Sequence, residues 1–389
     1  MTRRILIVTG TRAEYGLFHP LLAALEAADG FDVALLVTGA HLSERFGMTV
    51  REIEADGHHI AARVPIPLDD DSPIGVARVT GAAVAGLAEA MAAEKPDIVV
   101  LLGDRYETLA AATAAALLRI PVAHLHGGEI TEGAIDDSMR HAITKLSALH
   151  LVANDEYARR VAQMGEEPAR VVVTGALGVD NALHTTLIPA DALSAELDFD
   201  LTPPLALVTF HPVTLDGEDG LGQVDELLGA FDALPELRVL ITMPNADAGN
   251  RAVAQRLTDW AAANVPRARA FDSLGRVRYL SAMAVCDVVV GNSSSGIIEA
   301  PSFHKPTVDI GDRQAGRARA DCVIHAVPER AIISSAITRA LSDEGRRTAA
   351  ECVNPYGDGR AAEKIVAALA DAEGLTTRKR FRDLPPQTL

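Results

Sequence analysis

The chain has 389 residues, 48% of them apolar and 4% aromatic, and its net charge is −17 from 53 acidic and 36 basic side chains. This length is enough for about two domains, each with its own core. The acidic balance excludes nucleic acid as a partner, since no basic stripe outweighs the field of the whole chain.

Strand and helix signals alternate through the first half of the chain. Short runs rich in Val, Ile, Leu and Ala predict buried strands, and the stretches between them predict helices. The predicted strands are 5–8, 33–37, 98–102, 120–123, 149–153 and 171–174, and the predicted helices are 14–28, 41–56, 74–94, one ending at 118, 134–146 and one ending at 164. This order predicts a doubly wound parallel sheet.

A second alternation follows segment 187–204, where the pattern weakens and Pro189, Pro203 and Pro204 appear. We predict the interdomain linker there. The later predicted strands are 205–209, 239–242, 288–290 and 307–310, and the helices are 224–234, 251–263, 294–300 and others to about 370. The sequence thus predicts an α/β protein with two doubly wound, Rossmann-like domains, 1–186 and 205–357, a ligand in the cleft between them, and a C-terminal segment 358–389.

Cysteine spacing and the apolar runs indicate the compartment. Cys286, Cys322 and Cys352 form neither a CxxC pair nor an even disulfide set, which predicts reduced thiols in the cytoplasm. The N-terminal MTRRILIVTG predicts a first strand rather than a signal peptide. No apolar run approaches the roughly 18 residues of a membrane span, so we expect a soluble protein with no membrane partner.

The stretch 124–141, HLHGGEITEGAIDDSMRH, packs three histidines, four carboxylates, one arginine and three glycines where a predicted strand ends and a predicted helix begins. Open α/β sheets bind ligands at that edge, and titratable groups of both signs favour a proton-transfer site. The structural alternative is an acidic cluster that complements the helix dipole, with an i,i+4 ion pair from Asp136 to Arg140. The candidate acid–base residues are His126, Glu129, Asp136, Asp137 and Arg140.

Two further loops follow predicted strands in the first half. In TGTRAEYG, Gly10 permits close approach of a ligand and Arg12 offers a planar fork for a phosphate; alternatively, Arg12 pairs with Glu14. In GDRYE, Asp104 places a carboxylate at the ligand edge of the sheet, although for this residue alone a helix N-cap is the simpler interpretation.

Two loops of the second half predict a nucleotide site. TFHPVT puts His211 at the end of a strand, where a lone histidine is structural as often as functional. GNSSSGIIEA opens a predicted helix with backbone N–H groups and hydroxyls suited to a phosphate, and N-capping explains one serine but not three. Glu299, about one turn further on, is a candidate acceptor for a ribose diol. The phosphate-site residues are Asn292, Ser293, Ser294, Ser295 and Gly296.

Five motifs together resemble the hydrolysing UDP-N-acetylglucosamine 2-epimerase family, which includes a legionaminic-acid-pathway branch acting on diacetamido sugars. They are TGTRAEYG, LLGDRYE, the HGGE…GAIDDSMRHAITKLS block, TFHPVT and GNSSSGIIEA, and the resemblance spans nearly the whole chain. It implies a glycosyltransferase-B-like fold whose C-terminal helix packs back on the first domain. It also implies conversion of UDP-N-acetylglucosamine to N-acetylmannosamine and UDP, for sialic-acid-type nonulosonate synthesis.

The resemblance implies a mechanism as well. Family members are understood to remove the C2 proton, expel UDP from C1 and rehydrate the resulting glycal, which needs positioned acid–base groups and neutralisation of the diphosphate but no nicotinamide. Carried over by position, Asp104 and Asp136 match catalytic carboxylates. Arg12, His211, serines 293 to 295 and Glu299 match nucleotide contacts.

One position departs from that pattern. Where the family's best-known members have a glutamate before the double glycine, this chain has His126, with Glu129 just beyond it. Either His126 replaces the glutamate or Glu129 takes its role, and the change is interpreted as a mark of the diacetamido-sugar branch.

The expected partners are a UDP- or GDP-linked sugar and further copies of the chain, in a dimer or tetramer, and we predict no cofactor and no metal. Three alternatives stay open. A glycosyltransferase of the same architecture would need an acceptor, a non-hydrolysing epimerase would return UDP-N-acetylmannosamine, and a regulator would bind the nucleotide sugar without turnover.

Overall fold

The computed structural model describes residues 2–70, 72–131, 135–211, 220–243 and 250–383. The chain forms two compact units. Unit 1 comprises Met1–Glu129, Ile135–Asn181 and Tyr356–Leu389, and unit 2 comprises Ile130–Ala134 and Ala182–Pro355.

Unit 1 is built on a parallel sheet. Its described strands are β1 (Arg3–Thr9), β2 (Phe31–Thr38), β3 (Ile60–Val64), β4 (Ile98–Leu102), β5 (Val122–Leu125), β6 (Leu149–Val152) and β7 (Val171–Val173), in the order β3-β2-β1-β4-β5-β6-β7. The order reverses between β1 and β4, whose Ile5 and Ile98 are paired. The loops that follow these two strands therefore emerge side by side, at the position where such sheets bind ligands.

Helices cover both faces of this sheet. They are α1 (Arg12–Ala27), α2 (Val50–Ala55), α3 (Pro73–Glu94), α4 (Tyr106–Leu117), α5 (Ile135–Leu146), α6 (Asp155–Gln163) and α7 (Leu177–His184). Segment 41–56, predicted as one helix, contains two short 3-10 helices, Gly39–Leu42 and Glu44–Phe46, before α2. Gly47, which lies after the second 3-10 helix and before α2, has a φ of 85°, which an α-helix cannot include.

Helix α3 corrects one sequence expectation, since its 22 residues are long and apolar enough to span a membrane by length and composition. Its many alanines raise its mean hydropathy without forming a continuous bulky surface. Val79, Ala83, Leu87 and Met91 are buried at i,i+4 spacing in a core that includes Leu6 of β1. One face of α3 is thus a core face of unit 1.

Unit 2 repeats the strand order of unit 1. Its described strands are β8 (Leu205–Thr209), β9 (Arg238–Thr242), β10 (Ala268–Phe271), β11 (Val288–Gly291), β12 (Thr307–Ile310) and β13 (Val323–Ala326), in the order β10-β9-β8-β11-β12-β13. All their pairings are parallel. The reversal lies between β8 and β11, so the loops containing His211 and Asn292 are neighbours. Two doubly wound α/β domains confirm the predicted fold class.

The helices of unit 2 include one in the predicted linker. They are α8 (Ala190–Leu197), α9 (Leu221–Asp232), α10 (Asn250–Ala263), α11 (Gly275–Val285), α12 (Ser295–Ile298), α13 (Arg330–Leu341) and α14 (Asp343–Glu351). Leu193 and Leu197 of α8 are buried in one core cluster with Leu205 of β8. Residues 190–197 of the predicted linker therefore form a helix that belongs to unit 2, because the two leucines share one helical face.

The C-terminal helix α15 (Ala361–Asp371) belongs to unit 1. Its Ile365 and Leu369 are buried in one cluster with Phe18 and Leu22 of α1. In unit 2, all three cysteines are free, yet the Sγ atoms of Cys322 and Cys352 lie 2.9 Å apart, a proximity that their sequence spacing does not reveal.

Candidate active site

In unit 1, Arg140 of α5 organises the acidic residues predicted for catalysis. Its side chain is buried, donates a hydrogen bond to Asp104 and lies 3.7 Å from Asp137. Helix α4 begins at Tyr106 with Arg105 as its N-cap residue, so the N-cap interpretation of Asp104 is wrong. Asp104 instead forms an ion pair with the buried guanidinium of Arg140, which belongs to α5.

Asp136 has the more unusual environment of the two carboxylates in the first turn of α5. Burial and then the charge of Asp104 raise its pKa, against the smaller effects of Arg105 and Arg140. The predicted i,i+4 ion pair does not form, because the helical partner of Arg140 is Asp137 at i,i+3. No ion pair reaches Asp136 from the described residues. A carboxyl group with a raised pKa holds a proton more readily than an ordinary aspartate and is a candidate for proton transfer.

His126 and Glu129 form a hydrogen-bonded pair. The Nδ1–H of His126 donates to Glu129 Oε1 over 2.6 Å, and both side chains are largely buried. Among the described residues, no hydrogen-bond partner meets the buried Nε2 of His126. The residue also has a φ of 64°, a conformation that is costly for histidine and that clusters at functional sites. Glu129 thus orients the imidazole and leaves Nε2 able to exchange a proton.

The double glycine between them is explained by packing. Gly128 has a φ of 79°, and a Cβ there would lie 2.5 Å from the carbonyl oxygen of Tyr157 in α6. A Cβ on Gly127 would lie 3.0 Å from Thr144 of α5. The loop therefore lies against protein backbone and helix, which fixes the direction of His126.

Gly10 and Arg12 lie at the end of β1, and their contacts contradict the alternative in which Arg12 pairs with Glu14. Glu14 accepts from the backbone N–H of Gly10 over 2.8 Å and completes a capping box with Thr11. Arg12 lies 3.8 Å from Glu52 instead of pairing with Glu14. The Gly10 N–H is consequently already used inside the protein.

Glu14 and Arg105 were not predicted, although both stand beside the predicted residues. Burial and then the charge of Glu107 raise the pKa of Glu14 to about 7. Arg105 donates to Glu107 over 3.2 Å, and its charge lowers the pKa of both Glu14 and Asp136. Both residues are charged and lie in the motifs TRAEYG and GDRYE, in which Asp104 is the acidic residue predicted for the site. The charges of these motifs are the sequence signal that could have identified Glu14 and Arg105.

In unit 2, Asn292 connects the ends of the neighbouring strands β8 and β11 by two hydrogen bonds. Its Oδ1 accepts from the His211 backbone N–H and its Nδ2 donates to the His211 carbonyl, each over 2.7 Å. The side-chain amide of Asn292 is thus hydrogen-bonded inside the protein. Burial, followed by the charge of Arg313, lowers the pKa of the His211 ring to about 3, so the imidazole is neutral. The other residues of TFHPVT, 212–214, lie outside the described residues.

The three serines have distinct environments. Ser295 Oγ lies 2.5 Å from the hydroxyl of Tyr279 and 3.2 Å from Ser293 Oγ. Within the described part of the chain, the hydroxyl of Ser294 makes no hydrogen bond, and it follows the end of β11. Helix α12 spans only four residues, so a helix dipole contributes little here.

Gly296 and Glu299 complete the predicted set. The Gly296 N–H donates to the Ser293 carbonyl, and a Cβ there would lie 2.9 Å from Thr307 of β12, so packing requires this glycine. Glu299 is half-buried at the C-terminal end of α12.

The structure also reveals two residues that we did not predict. Arg313 and Gln314 both donate to the Asn292 carbonyl over 2.9 Å. They bring a positive charge to the ligand edge of unit 2, and the sequence GDRQAGR after β12 carried that signal.

Comparisons with known proteins identify the family of this chain. The family model for UDP-N-acetylglucosamine 2-epimerase matches residues 23–370. The chain belongs to this family. It is similar to the GDP/UDP-N,N'-diacetylbacillosamine 2-epimerase (hydrolyzing) of Campylobacter jejuni, with 39% identity covering 83% of this chain and 84% of that one. It is also similar to the UDP-N,N'-diacetylbacillosamine 2-epimerase (hydrolyzing) of Legionella pneumophila, with 36% identity over 95% of this chain and 96% of that one.

A solved structure supports the fold of this epimerase family member. The crystal structure of a putative UDP-N-acetylglucosamine 2-epimerase from Listeria monocytogenes matches with a TM-score of 0.81 at 21% identity, covering 99% of this chain and all of that one. The resemblance inferred from the five motifs is therefore confirmed, as is the glycosyltransferase-B-like class of the fold.

Proposed function

We propose that this chain is a hydrolysing nucleotide-sugar 2-epimerase, which releases the nucleoside diphosphate and the free 2-epimeric sugar. The observation that carries the proposal is the coexistence, in unit 1, of two different proton-transfer groups at the ligand edge of one sheet. One is the carboxyl of Asp136, whose pKa is raised by burial and by Asp104. The other is the imidazole of His126, oriented by Glu129.

The substrate we propose is a UDP- or GDP-linked 2,4-diacetamido-2,4,6-trideoxyhexose, with UDP-N-acetylglucosamine as the alternative. The sugar named in two relatives, N,N'-diacetylbacillosamine, is of this type, and both relatives match more than four-fifths of the chain. The product would then serve nonulosonate synthesis of the legionaminic-acid type.

The chemistry balances without a redox cofactor. A base takes the C2 proton, the C–H electrons form the C1–C2 double bond, and the C1–O bond to the diphosphate breaks. Water then adds its oxygen to C1, and an acid delivers a proton to the opposite face of C2. We propose Asp136 and His126 as the two proton-transfer groups, with Asp104 and Arg140 setting the charge around Asp136.

The departing diphosphate needs positive charge and hydrogen-bond donors, because its developing charge is part of the transition state. Unit 2 offers the guanidinium of Arg313, the neutral His211 and the hydroxyl of Ser294 at its ligand edge. We propose these three as the diphosphate contacts, and Glu299 as the ribose contact.

We further propose a cytoplasmic location, which the three free cysteines support, and a homo-oligomer of two or four chains. Sedimentation of the purified protein gives the number of chains directly.

The test is product identification. The protein is incubated separately with UDP-N-acetylglucosamine and with UDP- and GDP-linked diacetamidotrideoxyhexose, and the products are assigned by NMR. We expect a free 2-epimeric sugar and a nucleoside diphosphate without any added acceptor. A product that retains its nucleotide would indicate a non-hydrolysing epimerase, and stoichiometric binding without products would indicate a regulator.

A further inference from the structure

A second group of titratable residues lies in unit 1, away from the candidate active site. His19 is on α1, while Asp56 and His58 flank the turn between α2 and β3. His58 shortly precedes β3, so this group is at the amino end of that strand, whereas the candidate active site is at the carboxyl ends. We propose that His19, Asp56 and His58 bind a divalent transition metal ion of the Zn²⁺ type.

The first argument is the distance between the ligand atoms. One atom from each of the three side chains lies within 4.8 Å of the others, and His19 Nε2 is 3.7 Å from Asp56 Oδ2. Zn²⁺ bonds of about 2.0–2.1 Å in a tetrahedron place neighbouring ligand atoms roughly 3.3–3.5 Å apart. Side-chain rotations that move the ligand atoms by about an ångström would therefore bring them to the distances that a zinc ion requires.

The second argument is the set of groups that hold these ligands. Glu26 Oε1 accepts from His58 Nδ1–H over 2.6 Å, which fixes the tautomer and presents the Nε2 lone pair. The buried Tyr15 hydroxyl donates to Asp56 Oδ2 over 2.6 Å, and the Tyr15 ring packs against His19 at 4.7 Å between centroids. A carboxylate behind a ligating histidine and a hydrogen bond to a ligating carboxylate are the usual supports of metal sites.

The third argument is ligand chemistry. Two imidazoles and one carboxylate suit Zn²⁺ and related ions better than Mg²⁺ or Ca²⁺, which prefer oxygen ligands. The three side chains are 25%, 40% and 13% exposed, in the order His19, Asp56, His58, so an ion can enter from solvent and keep a water. Bound there, the ion would connect α1 to the segment between α2 and β3.

The test compares zinc binding in matched variants of the full chain. After removal of metal with a chelator, Zn²⁺ is titrated by calorimetry at pH 7.5 and thermal unfolding is followed with and without the ion. We expect one tight site per chain and a higher Tm with zinc, because an ion that binds the folded state stabilises it. His19→Ala and His58→Ala should each weaken binding at least tenfold and abolish most of the Tm increase.

His59→Ala is the matched control, since His59 is the exposed neighbour of His58 and should leave zinc affinity unchanged. Glu26→Gln keeps all three ligands and should weaken binding about tenfold or more, which tests the site even where an alanine variant unfolds. Zinc affinity that is unchanged in both histidine variants would place the ion elsewhere, for example on the thiols of Cys322 and Cys352, and would overturn the proposal. A parent chain that shows no tight zinc binding would overturn it too.

Discussion

At the scale of single residues, Asp136 and Asp137 are adjacent in the sequence but differ in what surrounds them. Asp137 lies 3.7 Å from the guanidinium of Arg140 and 3.4 Å from the imidazole of His141, so a positive charge is close to it. Asp136 has a raised pKa because it is buried and because Asp104 is near. A raised pKa makes a carboxylate a stronger base, which favours Asp136 over Asp137 for proton transfer.

We therefore expect Asp136→Asn and Asp104→Asn each to lower kcat by about a hundredfold or more, with little change in UDP affinity, since the nucleotide contacts we propose are in unit 2. The measurement is steady-state turnover together with calorimetric binding of UDP. Asp155→Asn, an exposed carboxylate in the first turn of α6, is the control. Turnover within a few-fold of the parent in the Asp136 variant would remove that residue from the mechanism.

Residue types at this scale were predicted better than their roles. The sequence indicated polar groups at the end of β11, but it could not show that the side-chain amide of Asn292 forms hydrogen bonds with the His211 backbone. It could not show that Gly296 is required by Thr307 either. Such roles depend on contacts between strands that are distant in the chain, and one sequence contains no record of those pairings.

At the scale of elements, the loop between β11 and α12 gives three consecutive serines different hydrogen-bond environments, although they look equivalent in sequence. Ser293 and Ser295 are hydrogen-bonded to each other, and Ser295 also to Tyr279. We expect Ser294→Ala to weaken UDP binding about tenfold or more, because a hydrogen bond to a charged group contributes about 1.5–3 kcal/mol. Calorimetry with UDP measures this, and Ser335→Ala, an exposed serine of α13, is the control. UDP affinity equal to that of the parent would show that this hydroxyl does not contact the phosphate.

A second element, the C-terminal segment, is attached to unit 1 through Glu166. Burial opposes the charge of this carboxylate, but hydrogen bonds from His150, Lys145 and Lys379 outweigh it and lower the pKa to about 2. Because the folded pKa is below the ordinary value of 4.5, the carboxylate stabilises the fold above about pH 4.5 and ceases to do so as the pH falls toward 2.

Glu166→Gln should accordingly lower the free energy of unfolding by on the order of 2 kcal/mol at pH 7, and the deficit should shrink as the pH falls from about 4.5 toward 2. Thermal unfolding across this pH range measures the difference. The matched control is Glu167→Gln, whose exposed carboxylate pairs with Arg382 and should contribute little. A deficit that is constant with pH would mean that packing, not charge, explains the loss.

Element prediction succeeded in the centres of the sheets and failed at three of their four edges, whereas the edge strand β7 was predicted from its run of valines. Strands β1, β4, β8 and β11 were found because continuous apolar runs mark strands buried on both faces. Strands β3, β10 and β13 were missed, and each lies at the edge of its sheet with mostly half-exposed residues. Sequences such as ARAF and VIHA lack an apolar run because edge strands face solvent.

At the scale of the whole molecule, the two units share one strand order although their sequences show no visible repeat. The shared topology places several predicted site residues at strand ends on both sides of a reversal, after β1 and β4 in one unit and after β8 and β11 in the other. The predicted acid–base residues of unit 1 follow β5, the strand next to β4. The motifs were readable because ligand chemistry restricts those loops, whereas the rest of each unit needs only apolar residues of suitable size.

The central claim is that C2 loses its proton and regains one from solvent while water attacks C1. Turnover in deuterium oxide, with a second reaction in water labelled with heavy oxygen, tests it most directly. We predict one deuterium at C2 and the labelled oxygen at C1 of the released sugar, because the base that removes the first proton and the acid that delivers the second are different groups. A released sugar that keeps its original C2 hydrogen would contradict the glycal route and reduce the reaction to simple hydrolysis or transfer.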